Sequence, residues 1–193
     1  MKKLPGYVSD NLTSYVKVYR NAVPQDLCEK AIDSLNETEF FQHTFYHPAL
    51  KQRYTNSNEL SVSHIENKHS IQIDDLVYQT LVKYVTGLDF SWFDSFDGHT
   101  KIRFNKYDVN TEMSMHCDRV QEMFDGHIKG IPTLSVLGLL NDNYEGGKFV
   151  MFNDTSFDLK QGDIIIFPST FMYPHHVTPI TKGTRFSFIS WVW

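Results

Sequence analysis

The residues best suited to chemistry in this 193-residue chain are His116 and Asp118, two positions apart in the segment MHCD. The surrounding sequence is typical of a β-strand, in which side chains two residues apart point to the same face. An imidazole and a carboxylate would therefore converge on one point, with Cys117 directed away from it. Such a pair suits a borderline metal ion, but two ligands alone do not hold one, so a third must come from elsewhere.

Candidates for the third ligand lie in the segment MYPHHVTP, where His175 and His176 are adjacent. Neighbouring residues of a strand face opposite ways, so only one of these two histidines can face the pocket. Two histidines and one carboxylate that leave one side of the metal open form the facial triad of non-heme Fe(II) oxygenases. A structural zinc site would instead be closed by four protein ligands.

The final segment, TRFSFISWVW, places Arg185, Ser187 and Trp191 on one face of a predicted strand. Phe186 and Phe188 point the other way, where we expect helices to cover them. A buried arginine beside a hydroxyl is a good receptor for a carboxylate, through charge-assisted hydrogen bonds. A dicarboxylic 2-oxo acid fits both features, because it can chelate a metal at one end and reach Arg185 at the other.

A strand, two helices and a run of short strands are expected to position these residues. The segment SYVKVYRNAV alternates like a strand, and Pro24 then opens a helix with an apolar stripe over residues 27–35. A second helix is predicted over residues 70–85, ended by Gly87. Residues 41–66 are rich in polar side chains and lack a clean period. We interpret them as an irregular segment and a candidate lid.

After Gly98 the chain consists of short apolar or alternating segments separated by Gly, Asp and Asn turns. This pattern predicts an all-β sandwich or barrel. The predicted class is α+β and mainly β: a jelly-roll core over about residues 100–193, supported by a strand and helices over about 14–87. No linker is apparent, so residues 1–193 are expected to form one domain.

The composition argues against several classes of protein. A net charge of −5 makes a nucleic-acid partner unlikely, since such partners usually require a basic face. The two cysteines, Cys28 and Cys117, show no paired spacing, which fits a reducing compartment. No leader and no apolar run of membrane-spanning length is apparent. A soluble, cytoplasmic protein without a membrane partner is the expectation, and the sequence does not predict an oligomeric state.

Several motifs together resemble those of 2-oxoglutarate/Fe(II) dioxygenases. HCD at 116–118, HHVTPITKGTR at 175–185 and RFS at 185–187 are similar to that family's H-x-D, H and R-x-S pattern. The segments KYDVNTEMSMHCD, LSVLGLLNDNYEGGKFVMF and GDIIIFPS resemble its prolyl 4-hydroxylase-like branch. The likeness covers roughly residues 100–193, with a looser likeness at 14–38. It implies a double-stranded β-helix, which is a form of the jelly roll.

The resemblance also implies roles for individual residues. The iron ligands would be His116, Asp118 and His175. Arg185 and Ser187 would hold the distal carboxylate of 2-oxoglutarate, and Tyr107 would hydrogen-bond the same co-substrate. Trp191 would form an aromatic wall of the substrate pocket. Separately, His127 lies in the loop after the first two ligands, which makes it a candidate substrate contact.

Two positions depart from the family pattern. The frequent glycine between Tyr107 and His116 is absent, and Asn110 or Thr111 stands there instead. Gly138 or Leu139 occupies the place where several prolyl hydroxylases have a tyrosine that supports the co-substrate.

The resemblance implies an enzyme that uses Fe(II), 2-oxoglutarate and O2, with ascorbate as an optional reductant. Oxidative decarboxylation would give succinate and carbon dioxide, and a substrate C–H bond would be hydroxylated. A prolyl residue in a peptide or protein is the expected substrate, bound with the help of residues 41–66 and 119–131. The alternatives are a free amino acid, an alkylated nucleic acid and a non-catalytic metal-binding jelly-roll domain.

Overall fold

The computed structural model describes residues 8–47, 50–118 and 132–193. Helical structure in these ranges comprises a 3₁₀ turn at Leu12–Tyr15, α1 at Gln25–Asn36 and α2 at Lys68–Leu88. The strands are β1 (Lys17–Tyr19), β2 (Phe41–Gln42), β3 (Phe45–His47), β4 (Gln52–Tyr54), β5 (Ser61–Ser63), β6 (Arg103–Tyr107), β7 (Met113–His116), β8 (Leu134–Leu139), β9 (Glu145–Gly146), β10 (Phe149–Met151), β11 (Thr155–Phe157), β12 (Ile164–Pro168), β13 (His175–Val177), β14 (Ile180–Lys182) and β15 (Arg185–Val192).

Helix α2 is longer at both ends than its apolar period predicts. Asn67 begins the helix with a capping box, in which its side chain accepts from the backbone N–H of Ser70 while the Ser70 hydroxyl accepts from the backbone N–H of Asn67. The prediction that Gly87 ends the helix is wrong, because Gly87 is helical. Asp89 ends it instead, in the left-handed conformation with φ 54°. Aspartate tolerates that conformation better than most residues, so it can replace glycine there.

The main sheet has seven strands in the order β1-β12-β8-β15-β6-β5-β2, and every pairing within it is antiparallel. A second sheet has the order β11-β10-β13-β7 and is also antiparallel. Two small pairs, β3-β4 and β9-β14, complete the described sheet structure. The described chain is thus mostly β, with two α-helices.

The two faces of the seven-stranded sheet are buried differently. One face packs on the helices, and Phe186 and Phe188 of β15 join α1 and α2 in that core, as their alternation predicts. The opposite face packs on the four-stranded sheet, where Tyr107 and Leu139 contact a cluster that includes Phe149. The candidate site lies on this second face.

Residues 41–66 are more ordered than their sequence predicts. The interpretation as an irregular segment is wrong for β2 to β5, which form there. β5 pairs with β6 and extends the main sheet, and β3 pairs with β4 as a hairpin. The pairing of β5 with the distant β6 anchors this segment to the main sheet, and a local period cannot reveal that contact. Whether the segment acts as a lid stays a prediction.

Neither of the helices in the described ranges combines the length and the hydrophobicity needed to cross a membrane.

Candidate functional site

Three potential metal ligands converge where β7 meets β13. These strands pair antiparallel with His116 opposite His175, and Asp118 follows two residues after His116. The Nε2 atom of His116 is 3.3 Å from Oδ1 of Asp118, and Nε2 of His175 is 3.8 Å from Oδ2. All three potential ligand atoms lie within 4.8 Å of one another. One ion can therefore contact all three.

Backbone carbonyls orient both histidines. Nδ1 of His116 is 2.7 Å from the carbonyl oxygen of Ser114, and Nδ1 of His175 is 3.0 Å from that of Tyr173. A carbonyl oxygen can only accept, so each Nδ1 must carry the proton and donate it. The lone pair of each Nε2 is then directed toward Asp118. This arrangement of the second ring nitrogen is the usual support for a metal-binding histidine.

The electrostatics keep the cluster in its metal-binding protonation state. Burial is the main reason that the pKa of His175 is lowered to about 4, and the neighbouring His116 contributes, so the imidazole is neutral near pH 7. Burial alone would raise the pKa of Asp118, but the adjacent His175 and His116 outweigh it and hold the pKa below its usual range. A neutral imidazole and an ionised carboxylate are the forms that bind a cation.

The buried Oδ2 of Asp118 has no hydrogen-bond partner among the described residues. An unpaired buried carboxylate oxygen is costly, and a cation between it and the two Nε2 atoms would satisfy it. Two imidazoles, one carboxylate and an open side fit Fe(II). His176 does not belong to this cluster: as the central residue of β13 it points to the other face of the strand.

A second polar group lies on the inner face of the seven-stranded sheet. Arg185 is 1% exposed, and its Nη1 donates to the hydroxyl of Ser187 at 2.9 Å. Its guanidinium stacks on the Tyr107 ring, with Cζ 4.7 Å from the ring centroid. The buried Nε of Arg185 has no acceptor among the described residues. A buried cation with a free donor is what a carboxylate clamp requires.

A cavity of about 400 Å³ opens beside Arg185, with Leu139, Gly147 and Phe149 also in its wall. The ring centroid of Phe149 is 5.5 Å from that of His175, so this residue contacts both the cavity and the triad. Phe149 therefore lies between the cavity beside Arg185 and the candidate metal ligands.

The structure accounts for both departures from the family pattern. Asn110 has φ 68°, so it adopts the left-handed conformation that favours glycine, and asparagine is tolerated there. At the other position Leu139, not Gly138, faces the cavity. A Cβ on Gly138 would lie 1.9 Å from Cζ of Phe188, which leaves no room for any side chain.

Of the two remaining predicted site residues, the structure describes Trp191 but not His127. Trp191 is buried on the inner face, and the guanidinium of Arg103 stacks on it at 4.7 Å. Nε of Arg103 donates to Oδ1 of Asn105. Arg103 and Asn105 were not predicted, although their period-two spacing from Tyr107 in KIRFNKY puts all three on one face. His127 and the loop 119–131 lie outside the described residues.

Comparison with known proteins gives its family match in the C-terminal half of the chain. Residues 102–193 match the model of the 2OG-Fe(II) oxygenase superfamily. A PKHD-type hydroxylase of Acinetobacter baumannii is 36% identical over 95 residues, which cover 46% of this chain and 41% of that protein. A PKHD-type hydroxylase of Idiomarina loihiensis is 26% identical over 175 residues, covering 89% and 74% of the two chains. The chain thus matches less than half the length of the Acinetobacter relative.

Solved structures share the fold over nearly the whole chain. A prolyl-4-hydroxylase of Pseudomonas putida superimposes with a TM-score of 0.66, at 17% identity, and covers 92% of this chain and 91% of its own. A prolyl hydroxylase of Trichoplax adhaerens, in complex with a hypoxia inducible factor peptide fragment, gives 0.70 at 16% identity, with 94% and 84% covered.

Proposed function

We propose that this chain, which belongs to the 2OG-Fe(II) oxygenase superfamily through residues 102–193, is an Fe(II)- and 2-oxoglutarate-dependent hydroxylase of prolyl residues in peptides or proteins. The observation that carries the proposal is the convergence of His116, Asp118 and His175, with both Nδ1 atoms tied to carbonyls and one buried carboxylate oxygen left without a partner.

Each residue has one task in this proposal. His116, Asp118 and His175 would hold Fe(II) through their three convergent ligand atoms. Arg185 binds the distal carboxylate of 2-oxoglutarate, Ser187 fixes the guanidinium through the 2.9 Å hydrogen bond, and Tyr107 packs against it. These residues thereby orient the co-substrate and exclude water from it. The bound iron, with O2 and 2-oxoglutarate, supplies the oxidising chemistry.

The fold supports the same proposal. We infer that the four-stranded sheet and the seven-stranded sheet, facing each other across the cluster that holds Tyr107 and Phe149, form the double-stranded β-helix of this superfamily. Residues 1–193 would then act as one oxygenase domain. Ascorbate as a reductant, and the cellular location expected from the cysteines, stay predictions.

Hydroxylation is favoured by the names of the relatives, which are PKHD-type hydroxylases. A prolyl substrate is favoured by the names of the structural neighbours, one of which was solved with a peptide. The hairpin β3-β4 offers a surface for such a chain: the exposed Tyr54 lies 5.6 Å from Phe45, whose ring is 6.1 Å from His116. A peptide laid over these rings would reach the candidate iron site.

The test is succinate release by the Fe(II)-loaded protein with 2-oxoglutarate, in parallel reactions with proline-containing peptides, free L-proline and alkylated oligonucleotides. We expect a product heavier by about 16 mass units from a peptide, the gain of one oxygen atom. The Asp118→Ala variant should release no succinate, and His176→Ala serves as the matched control. Turnover only with the amino acid or the oligonucleotide would contradict the peptide assignment, and activity in the Asp118 variant would contradict the metal centre.

A further inference from the structure

Arg103 is a second arginine on the inner face of the sheet, and the clamp for 2-oxoglutarate does not use it. On β6 the residues Arg103, Asn105 and Tyr107 point to the same face, with Arg103 four residues from the Tyr107 that stacks on Arg185. Four residues of strand span about 13 Å. Arg103 therefore lies at the opposite end of β6 from Tyr107. The arginine proposed to bind 2-oxoglutarate is Arg185, so Arg103 is free for another role.

The guanidinium of Arg103 is held in place by two contacts. Its Nε donates to Oδ1 of the buried Asn105 at 3.2 Å, and its Cζ lies over the Trp191 ring, 4.7 Å from the ring centroid. These contacts occupy Nε and one face of the group, and they leave the two terminal nitrogens as a fixed fork. A fixed fork of two N–H donors matches the two oxygens of a carboxylate.

The protein itself supplies no carboxylate to this fork. No acidic side chain of residues 8–47, 50–118 or 132–193 lies within ion-pair distance of Arg103. The buried indole N–H of Trp191, the ring on which Arg103 stacks, also has no acceptor in those ranges. The terminal nitrogens of Arg103, which have no carboxylate partner in those ranges, and the indole N–H of Trp191 can only donate. Together they call for a ligand that supplies acceptor oxygens.

Arg103 is also close to the candidate metal ligands. The charge of Asp118 acts on the Arg103 guanidinium, and Arg103 in turn lowers the pKa of the buried His43 beside β3. An anionic group held at Arg103 would thus be attached to a molecule that reaches the iron site. Under the proposed function, the molecule that reaches this site beside the co-substrate is the substrate that is oxidised.

We propose that Arg103 is a specificity residue that binds a carboxylate of the hydroxylated substrate, close to the carbon that is oxidised. This inference rests on the proposed function for the identity of the reaction, and it narrows the substrate class to prolyl compounds that carry a carboxylate. The carboxylate can come from an acidic side chain next to the proline, from a C-terminal proline or from free proline.

The test separates these three sources with three pairs of ligands, each a carboxylate and its amide. The first pair is acetyl-glycyl-prolyl-aspartyl amide and acetyl-glycyl-prolyl-asparaginyl amide. The second is acetyl-glycyl-proline and its amide, and the third is L-proline and L-prolinamide. Each is titrated calorimetrically into protein loaded with Fe(II) and 2-oxoglutarate without O2, so that binding is measured while turnover is blocked. We expect the carboxylate of at least one pair to bind about tenfold more tightly than its amide.

Variants assign the preference to Arg103. Arg103→Gln should bring the ratio of acid to amide affinity close to one without changing the affinity for 2-oxoglutarate. Arg103→Lys, which keeps the charge and loses the fork, should give an intermediate ratio. Lys106→Gln is the matched control, because it removes a positive charge from the other face of β6 and should keep the wild-type ratio.

Two results would overturn the inference: wild-type protein that binds no carboxylate more tightly than its amide, or a preference that persists in Arg103→Gln. Admitting O2 afterwards tests the proposed function separately, by product mass. A carboxylate preference without hydroxylation would contradict the prolyl hydroxylase assignment and leave only the binding of a carboxylate by Arg103 supported.

Discussion

The adjacent histidines of β13 allow the sharpest test of the metal centre at the level of single residues. Only His175 shares a face with His116 and Asp118. His175→Ala should weaken Fe(II) binding at least about 100-fold, because loss of a supporting residue alone costs 10- to 100-fold. His176→Ala should change it less than about threefold. Calorimetric titration of Fe(II) without O2 measures both affinities. A stronger effect at His176 would show that His176, and not His175, is the metal ligand.

Arg185 should control co-substrate affinity independently of the metal. Arg185→Gln removes the charge that a dicarboxylate needs in a buried site, so we expect the affinity for 2-oxoglutarate to fall about 30-fold or more, equivalent to about 2 kcal/mol. Ser187→Ala, which removes one hydrogen bond to the guanidinium, should have a smaller effect. Fe(II) binding in the absence of 2-oxoglutarate should be unchanged in both variants. Unaltered 2-oxoglutarate binding in Arg185→Gln would show that the carboxylate binds elsewhere.

The turn between β6 and β7 shows how an element tolerates a departure from its family pattern. Asn110 has φ 68° and donates its backbone N–H to Ile180, at 2.9 Å. A β-branched residue is strained in that conformation, so Asn110→Val should lower the free energy of unfolding by about 1–3 kcal/mol, while Asn110→Gly should stay within about 1 kcal/mol of the wild type. Urea unfolding measures both. Val109→Ala, at an exposed neighbouring position, is the control, and equal stability of the valine and glycine variants would contradict the argument.

At the scale of elements, the sequence predicts best what depends on one strand or helix. Alternation puts Arg185 and Ser187 on one face of β15 and Phe186 and Phe188 on the other, and the structure agrees: β15 is buried on both faces. The end of α2 was missed since Asp89 adopts a glycine-like conformation. The strands within residues 41–66 were missed for a different reason: they are short, lack a clear alternation, and join the main sheet only through the pairing of β5 with the distant β6.

The same limit applies to the candidate site. Local spacing brings His116 and Asp118 together, but only the pairing of β7 with β13 decides which of the two adjacent histidines joins them. Arg103 went unnoticed because its significance depends on Trp191, which lies 88 positions later in the chain and stacks on it. Motifs reveal residues that a family shares, whereas a polar residue particular to one chain becomes visible only through its neighbours in space.

At the scale of the whole molecule, buried histidines should make the metal-free protein sensitive to acid. Burial lowers the pKa of His43 to about 3, and the charge of Arg103 contributes, while the pKa of His175 is lowered to about 4. In the unfolded chain a histidine has a pKa of about 6.5. Between these values the unfolded chain binds more protons than the folded one, so the free energy of unfolding falls as the pH falls below about 6.5.

His43→Phe tests this dependence, because it removes one of the two titrations and keeps an aromatic ring against Phe45, which lies 4.7 Å away. With a chelator present, urea unfolding between about pH 4.5 and 6 should lose stability less steeply in this variant, by about 1.4 kcal/mol per pH unit, the linkage of one group. His47→Phe, at an exposed position of β3, is the control for the exchange of a histidine by phenylalanine itself. An unchanged slope in His43→Phe would mean that His43 is charged in the folded protein, which its burial beside Arg103 opposes.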